Sequence, residues 1–102
     1  MRFGIVVTDQ GQAATAACLM KEALARDWSV RCFLTDNGVN MLKDDSFIEM
    51  SRNPSVHLSV CELSVERYCH DMPLDEMSDV VIVGGQYQDA ELVRNSDQVL
   101  VF

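Results

Sequence analysis

Short apolar runs, each the length of one β-strand, alternate along this chain with stretches that have helical spacing. Residues 3–7 are apolar without interruption, which is typical of a parallel strand covered on both faces. Ala16, Met20 and Leu24 then recur four residues apart, as residues do on the buried side of a helix. Strands that alternate with helices in this way predict an α/β domain with a parallel sheet.

The same patterns predict five strands joined by four helical connections. We expect strands over residues 2–8, 28–34, 56–61, 79–83 and 98–102. We expect helices over residues 12–26, 39–50 (with a break near 44–46), 63–69 and 87–94. Apolar and polar residues alternate in the second strand, around Arg31, which suggests a less buried face and therefore an edge strand. These features predict a flavodoxin-like, doubly wound, mostly parallel sheet of order 2-1-3-4-5, with helices on both faces.

Composition limits the kind of protein this is. The 102 residues, 48% of them hydrophobic, suit one packed domain spanning 1–102. A formal net charge of −8 argues against nucleic-acid binding, which needs a basic face. No apolar run approaches a membrane span, and no signal peptide is evident, so we expect a cytoplasmic protein. The four cysteines then indicate free thiols, and their spacing predicts no metal site.

Cys61 is the residue best placed for chemistry. In a sheet of order 2-1-3-4-5, ligands bind where the first and third strands part. The loop that holds Asp9 and Gln10 follows the first strand, and Cys61 ends the third and precedes a helix. Backbone N–H groups at a helix start favour the thiolate. The alternative is ordinary packing, because cysteine is among the most buried residue types.

Other reactive residues are assigned structural roles at this stage. His57 lies inside the third strand and is expected to be a core or interface histidine. Cys69 follows Cys61 by eight positions and is expected to pack rather than to form a disulfide. Asp9 has the alternative role of a helix cap. A phosphate-binding loop is excluded because the first loop contains only Gly11.

Three segments carry a resemblance to a known family. Residues 61–65 read C-E-L-S-V directly after an apolar strand, residues 33–39 read F-L-T-D-N-G-V, and residues 80–85 read V-V-I-V-G-G. In this order and spacing the chain resembles the DsrE/DsrF-like (TusD-like) sulfur-relay family over nearly its whole length. One departure is the sequence Tyr68-Cys69-His70 after Arg67, where the family often has a glycine.

The resemblance implies a sulfur carrier, or sulfurtransferase-like protein, in which Cys61 holds a persulfide. Partners would be a sulfur-donor and a sulfur-acceptor protein, and assembly as a trimer or hexamer would be expected, with no cofactor. We expect Asp9, Gln10, Glu62 and Ser64 to border the site. Glu62 would oppose a thiolate unless it points away. The alternatives are a non-catalytic interaction or scaffold subunit of the same fold, and a small-molecule-binding module.

Overall fold

The computed structural model describes all residues from Met1 to Phe102, and its elements follow the predicted pattern closely. The strands are β1 (Arg2–Val7), β2 (Ser29–Leu34), β3 (Val56–Cys61), β4 (Val81–Gly84) and β5 (Gln98–Val101). The α-helices are α1 (Ala13–Ala25), α2 (Asp45–Ser51), α3 (Glu62–Tyr68) and α4 (Gln86–Arg94). Short 3₁₀ helices cover Gln10–Gln12, Asp36–Lys43 and Leu74–Met77. None of these helices has the length and apolar character to cross a bilayer.

The expected break in the second helical connection lies at Asp44. The 3₁₀ segment Asp36–Lys43 ends there, and α2 starts immediately afterwards. The Asp44 carboxylate accepts hydrogen bonds from the backbone N–H and the hydroxyl of Ser46, at 2.9 and 2.7 Å. These bonds lower the pKa of the Asp44 carboxyl. Asp44 is therefore the N-cap that separates the two helical segments.

The α/β class, the parallel pairing and the helices on both faces are confirmed, but the predicted strand order is wrong. The five strands form one sheet of order β4-β3-β2-β1-β5, and every neighbouring pair is parallel. β2 lies in the centre of the sheet rather than at its edge, and Cys32, Phe33 and Leu34 are all buried. The switch point therefore lies between β1 and β5, not between β1 and β3.

This order also determines how well each face of the sheet is covered. Parallel β-α-β connections are almost always right-handed, so connections that run in opposite directions along a sheet lie on opposite faces. Helices α1, α2 and α3 share the larger core cluster with Ile5 and Leu58. Helix α4 packs on the other face, where Leu92 contacts a small cluster with Val6 and Phe33. We call the sheet side under α4 the second face.

The thin cover on the second face explains the misleading alternation in β2. Arg31 points to the second face, because its neighbours Val30 and Cys32 belong to the core of the first. One nine-residue helix covers only part of that face, so Arg31 remains partly exposed within a central strand. The polar residue Arg31 is therefore tolerated in β2 because α4 covers the second face incompletely, and not because β2 lies at the edge of the sheet.

Gly38 allows the Asp36–Lys43 segment to pack against the end of β1. It is buried, and a methyl group built on its Cα would overlap the carbonyl oxygen of Val7. That oxygen also accepts a hydrogen bond from the Thr35 N–H at 3.0 Å, so it is held in place. A side chain at position 38 would therefore push the whole segment away from the sheet.

We predict that Gly38→Ala lowers the free energy of unfolding by about 1–3 kcal/mol, because overpacking against backbone cannot relax by rotating a side chain. Urea denaturation followed by circular dichroism measures the change. Gly11→Ala is the control, since Gly11 is exposed and its added methyl would meet only the Asp9 side chain, at 3.3 Å, and no backbone atom. The control should change stability by less than about 0.5 kcal/mol. Equal stability of the two variants would contradict this account of Gly38.

Candidate functional site around Cys61

Cys61 lies at the carboxyl end of β3, and its side chain is on the second face. Residues alternate between faces along a strand, so Cys61 shares a face with Ser59 and lies opposite Val60. Its sulfur packs at the margin of the Val6, Phe33 and Leu92 cluster and stays partly exposed. The Cys61 thiol therefore stays accessible because its side chain lies on the second face, which α4 covers only in part.

The neighbouring strand supplies a second side of the site. β2 pairs directly with β3, with Leu34 in register with Val60, so Thr35 follows β2 where Cys61 ends β3. Thr35 and Cys61 both line an open depression of about 250 Å³, together with Ser64 and Arg67 of α3 and Gln86 of α4. Residues from the ends of two strands and from two helices thus line the depression around the Cys61 sulfur.

Ser64 connects these elements through its hydroxyl. Its Oγ accepts a hydrogen bond from the Asp36 N–H at 2.9 Å and lies 3.5 Å from the Thr35 Oγ1. Because the oxygen already accepts from Asp36, the hydroxyl proton is free to be donated elsewhere. Asp36, which donates this hydrogen bond, has a φ of 49°, in the left-handed region.

The surroundings of Cys61 favour its ionised form. Partial burial raises the pKa of the thiol, but this effect is outweighed by the hydroxyl and N–H of Ser64, the N–H of Leu63 and the hydroxyl of Thr35, so the pKa falls below its ordinary value. The Cys61 side chain does not close a capping hydrogen bond in this conformation. A partly exposed thiol with a lowered pKa is suited to react as a thiolate.

The other three cysteines have different environments. Burial raises the pKa of Cys32 to about 12, and Cys32 lies in the core of the first face. Burial is also the main reason for the raised pKa of Cys69, with an opposing effect from Lys43 and a smaller contribution from Asp71. The Cys69 thiol contacts the Val39 carbonyl oxygen at 3.5 Å. Cys18 is exposed on α1, and all four thiols are free.

Only part of the predicted site is brought together. Ser64 lines the depression beside Cys61, as expected, whereas Glu62 is exposed and does not line it. Asp9 and Gln10 do not line it either, because β2 lies between β1 and β3. The Asp9 carboxylate instead accepts from the Gly11 N–H at 2.9 Å and caps the first 3₁₀ helix.

Gln10 belongs to a separate groove. Its N–H donates to the Asn37 side-chain oxygen at 2.7 Å, and its own side-chain oxygen accepts from Asn40 at 3.2 Å. Together with Asp44 and small residues of α1, it lines a groove of about 360 Å³ between α1 and the Asp36–Lys43 segment. The prediction that Asp9 and Gln10 face Cys61 was wrong because it depended on the wrong strand order.

Sequence reasoning did not identify Thr35 and Gln86 as site residues. Each directly follows a strand or begins a helix at the carboxyl end of the sheet. The residue after Leu34 is Thr35, and the residue after its register partner Val60 is Cys61, so the two lie at the same level of the sheet. Placing β2 next to β3 would therefore have predicted that Thr35 is a neighbour of Cys61. The ends of β2 and β3 can be predicted from the sequence, but they indicate a shared site only when the strand order is known.

A scan against protein-family models finds no match to this chain, and a search of curated proteins finds no significant match. The chemistry of the site must therefore be inferred from its geometry and from the sequence resemblance.

We predict that Cys61 reacts with iodoacetamide at lower pH than an ordinary cysteine, because a lowered pKa leaves more thiolate at any given pH below it. The rate should be measured against pH in a Cys18→Ser background, which removes the exposed competitor. Ser64→Ala should shift the inflection to higher pH and slow the reaction at neutral pH by about threefold to tenfold.

Ser51→Ala is the matched control for Ser64→Ala. Ser51 is also buried, and its hydroxyl donates to the Phe47 carbonyl at 2.9 Å, within α2. The Ser51→Ala substitution should leave unchanged the pH dependence of the reaction between Cys61 and iodoacetamide. The same inflection in the Ser64→Ala and Ser51→Ala proteins would show that the Ser64 hydroxyl does not stabilise the thiolate.

Proposed function

We propose that this chain is a DsrE/DsrF-like sulfur carrier that accepts sulfane sulfur on Cys61 and passes it to another protein. The observation that carries the proposal is the partly exposed Cys61, whose pKa is lowered by Ser64, Leu63 and Thr35. A thiolate of this kind is the nucleophile in thiol–persulfide exchange. The resemblance of residues 61–65 to the family's cysteine segment supports the same role.

The loading step conserves atoms and electrons without a cofactor. The Cys61 thiolate attacks the outer sulfur of a donor persulfide, R–S–SH, and a new S–S bond forms at Cys61. The donor's S–S bond breaks, its electron pair leaves on the donor thiolate, and the proton stays with the transferred sulfur or passes to water. The Cys61 sulfur is thereby oxidised to the persulfide level, and the donor sulfur is reduced to a thiolate.

In the release step Cys61 is the leaving group rather than the nucleophile. An acceptor thiolate attacks the outer sulfur, and Cys61 leaves as a thiolate. The donors from Ser64, Leu63 and Thr35 that lower the pKa of Cys61 also make it a better leaving group. The guanidinium of Arg67 lines the depression and makes no ion pair within the chain, so it is available to an anionic sulfur group.

The open shape of the site supports proteins as donor and acceptor. Leu63 borders the depression and is 76% exposed, and Tyr87, which follows Gln86 at the start of α4, is 71% exposed. Exposed apolar side chains on the elements that border an open depression favour contact with another protein rather than enclosure of a small molecule. We propose a cytoplasmic setting for this exchange, where thiols stay reduced.

We predict that incubation with inorganic polysulfide adds one or more sulfur atoms to the protein, as measured by intact-mass spectrometry. The gain should be removed by dithiothreitol, and Cys61→Ser should lose it. Cys18→Ser is the matched control, because it removes an exposed thiol away from the depression and should keep the gain. Equal loading of the Cys61→Ser and wild-type proteins, or no loading of either, would remove Cys61 from the mechanism.

A second candidate function, that of a non-catalytic interaction subunit, is favoured by the exposed apolar residues around α4. Ile82 of β4 and Val101 of β5 are 50% and 66% exposed, and Val93 of α4 is also exposed. Ile82 and Val101 lie on the second face of the sheet, because Ile82 follows the first-face residue Val81 and Val101 is in register with Val6. They support the trimer or hexamer implied by the family resemblance, whether or not Cys61 carries sulfur.

We predict that the wild-type protein sediments as an assembly larger than its 11.4 kDa monomer. Val93→Asp should shift it towards the monomer, because a carboxylate at a buried interface costs free energy. Thr15→Asp, on the exposed side of α1, is the control and should leave the assembly intact. Monomeric wild-type protein at all concentrations tested by analytical ultracentrifugation would contradict the prediction.

A further inference from the structure

A second cavity lies on the same sheet face as Cys61, beneath α4. Arg31 of β2, His57 and Ser59 of β3, and Gln88 of α4 line it, and its volume is about 40 Å³. One buried water needs about 10–15 Å³ measured in this way, so the cavity has room for a few waters or for one small ion. It is separate from the depression around Cys61, which has different lining residues.

Two basic side chains emerge side by side into this cavity. Arg31 and His57 are register partners on adjacent parallel strands, which lie about 4.8 Å apart. Arg31 is half-buried, whereas the other five arginines of the chain are exposed, yet it makes no ion pair. A guanidinium held partly out of water without a counter-charge costs free energy.

The remaining polar lining groups also offer donors. The Ser59 hydroxyl makes only a long contact to the Cys32 carbonyl, at 3.5 Å. The side chains of Arg31, His57 and Gln88 take part in none of the hydrogen bonds within the chain. No aspartate or glutamate lines the cavity, although acidic residues outnumber basic ones by 16 to 8 in the chain.

We propose that this cavity binds a small tetrahedral oxyanion of the phosphate or sulfate class. Such an ion supplies the missing counter-charge for Arg31 and accepts from the guanidinium, the imidazole, the Ser59 hydroxyl and the Gln88 amide. The other side of the cavity is formed by the apolar side chains of Leu92 and Ile82, so the polar contacts of the ion all come from Arg31 and its polar neighbours. This binding does not depend on sulfur transfer by Cys61.

The position of the site connects it to the thiol. Ser59 and Cys61 are two residues apart on one strand and face the same side, which separates their Cα atoms by about 7 Å. Helix α4 presents Gln88 to the cavity and Gln86 to the depression around Cys61. An ion that engages Gln88 therefore helps to fix the helix that borders the reactive sulfur.

The test is a nitrogen-15 NMR titration of the wild-type protein with inorganic phosphate and with sulfate, at constant ionic strength set by chloride. We expect saturable shifts of the Arg31 side-chain N–H, the Gln88 side-chain amide and the backbone amides of residues 57–59. Titration with glycerol phosphate forms a second arm. Tighter binding of the ester than of free phosphate would identify a phosphate group on a larger molecule as the source.

Arg31→Gln should weaken phosphate binding by about tenfold or more, because it removes charge-assisted hydrogen bonds. Arg94→Gln makes the same change at an exposed position outside the cavity and should bind like the wild type. His57→Gln, at an exposed strand position, provides the test if Arg31→Gln does not fold. Non-saturable shifts spread over the surface, or undiminished binding by a folded Arg31→Gln protein, would overturn the proposal. If Arg31→Gln does not fold, undiminished binding by His57→Gln would overturn it.

Discussion

The right-handed crossover of parallel strands is the constraint on which the rest of this structure depends. Because β1, β2, β3 and β4 follow one another across the sheet, their connections all lie on one face. The single return from β4 to β5 puts α4 on the other face, where it is the only helix. One face is therefore a full core, and the other is a partly covered surface that keeps polar and reactive side chains accessible.

This difference between faces gives two strand cysteines opposite properties. Cys32 in β2 points to the face covered by three helices, where burial suppresses ionisation. Cys61 in β3 points to the face covered by α4 alone, at a strand end where hydroxyls and backbone N–H groups collect. A one-residue shift in the register of β3 would exchange the faces and bury the thiol. The pleat of the strand, rather than the type of residue, determines which thiol is available to react.

The sequence was sufficient to predict the elements, because their signals are local. Apolar runs and four-residue spacing are read within one element, and the predicted bounds of β3, 56–61, agree with the structure. Strand order has no local signal, and Arg31 was misleading because incomplete cover and an edge position produce the same alternation. Cys61 and Ser64, which line one depression, were predicted to be neighbours because they are close in sequence. Thr35 was missed because it approaches them only through the pairing of β2 with β3.

In the proposed carrier, Ser64 links the stability of the site to its reactivity. Its oxygen holds the Asp36 N–H, which fixes the beginning of the Asp36–Lys43 segment against α3, while its proton remains available to the sulfur of Cys61. A persulfide would extend the Cys61 side chain by one S–S bond, about 2.05 Å. The open depression around Cys61, whose lining includes Leu63 and Arg67, has room for this additional sulfur atom. In this proposal the donors would stabilise the inner sulfur as a leaving group, and the outer sulfur would face the open depression, where an acceptor thiol could approach it.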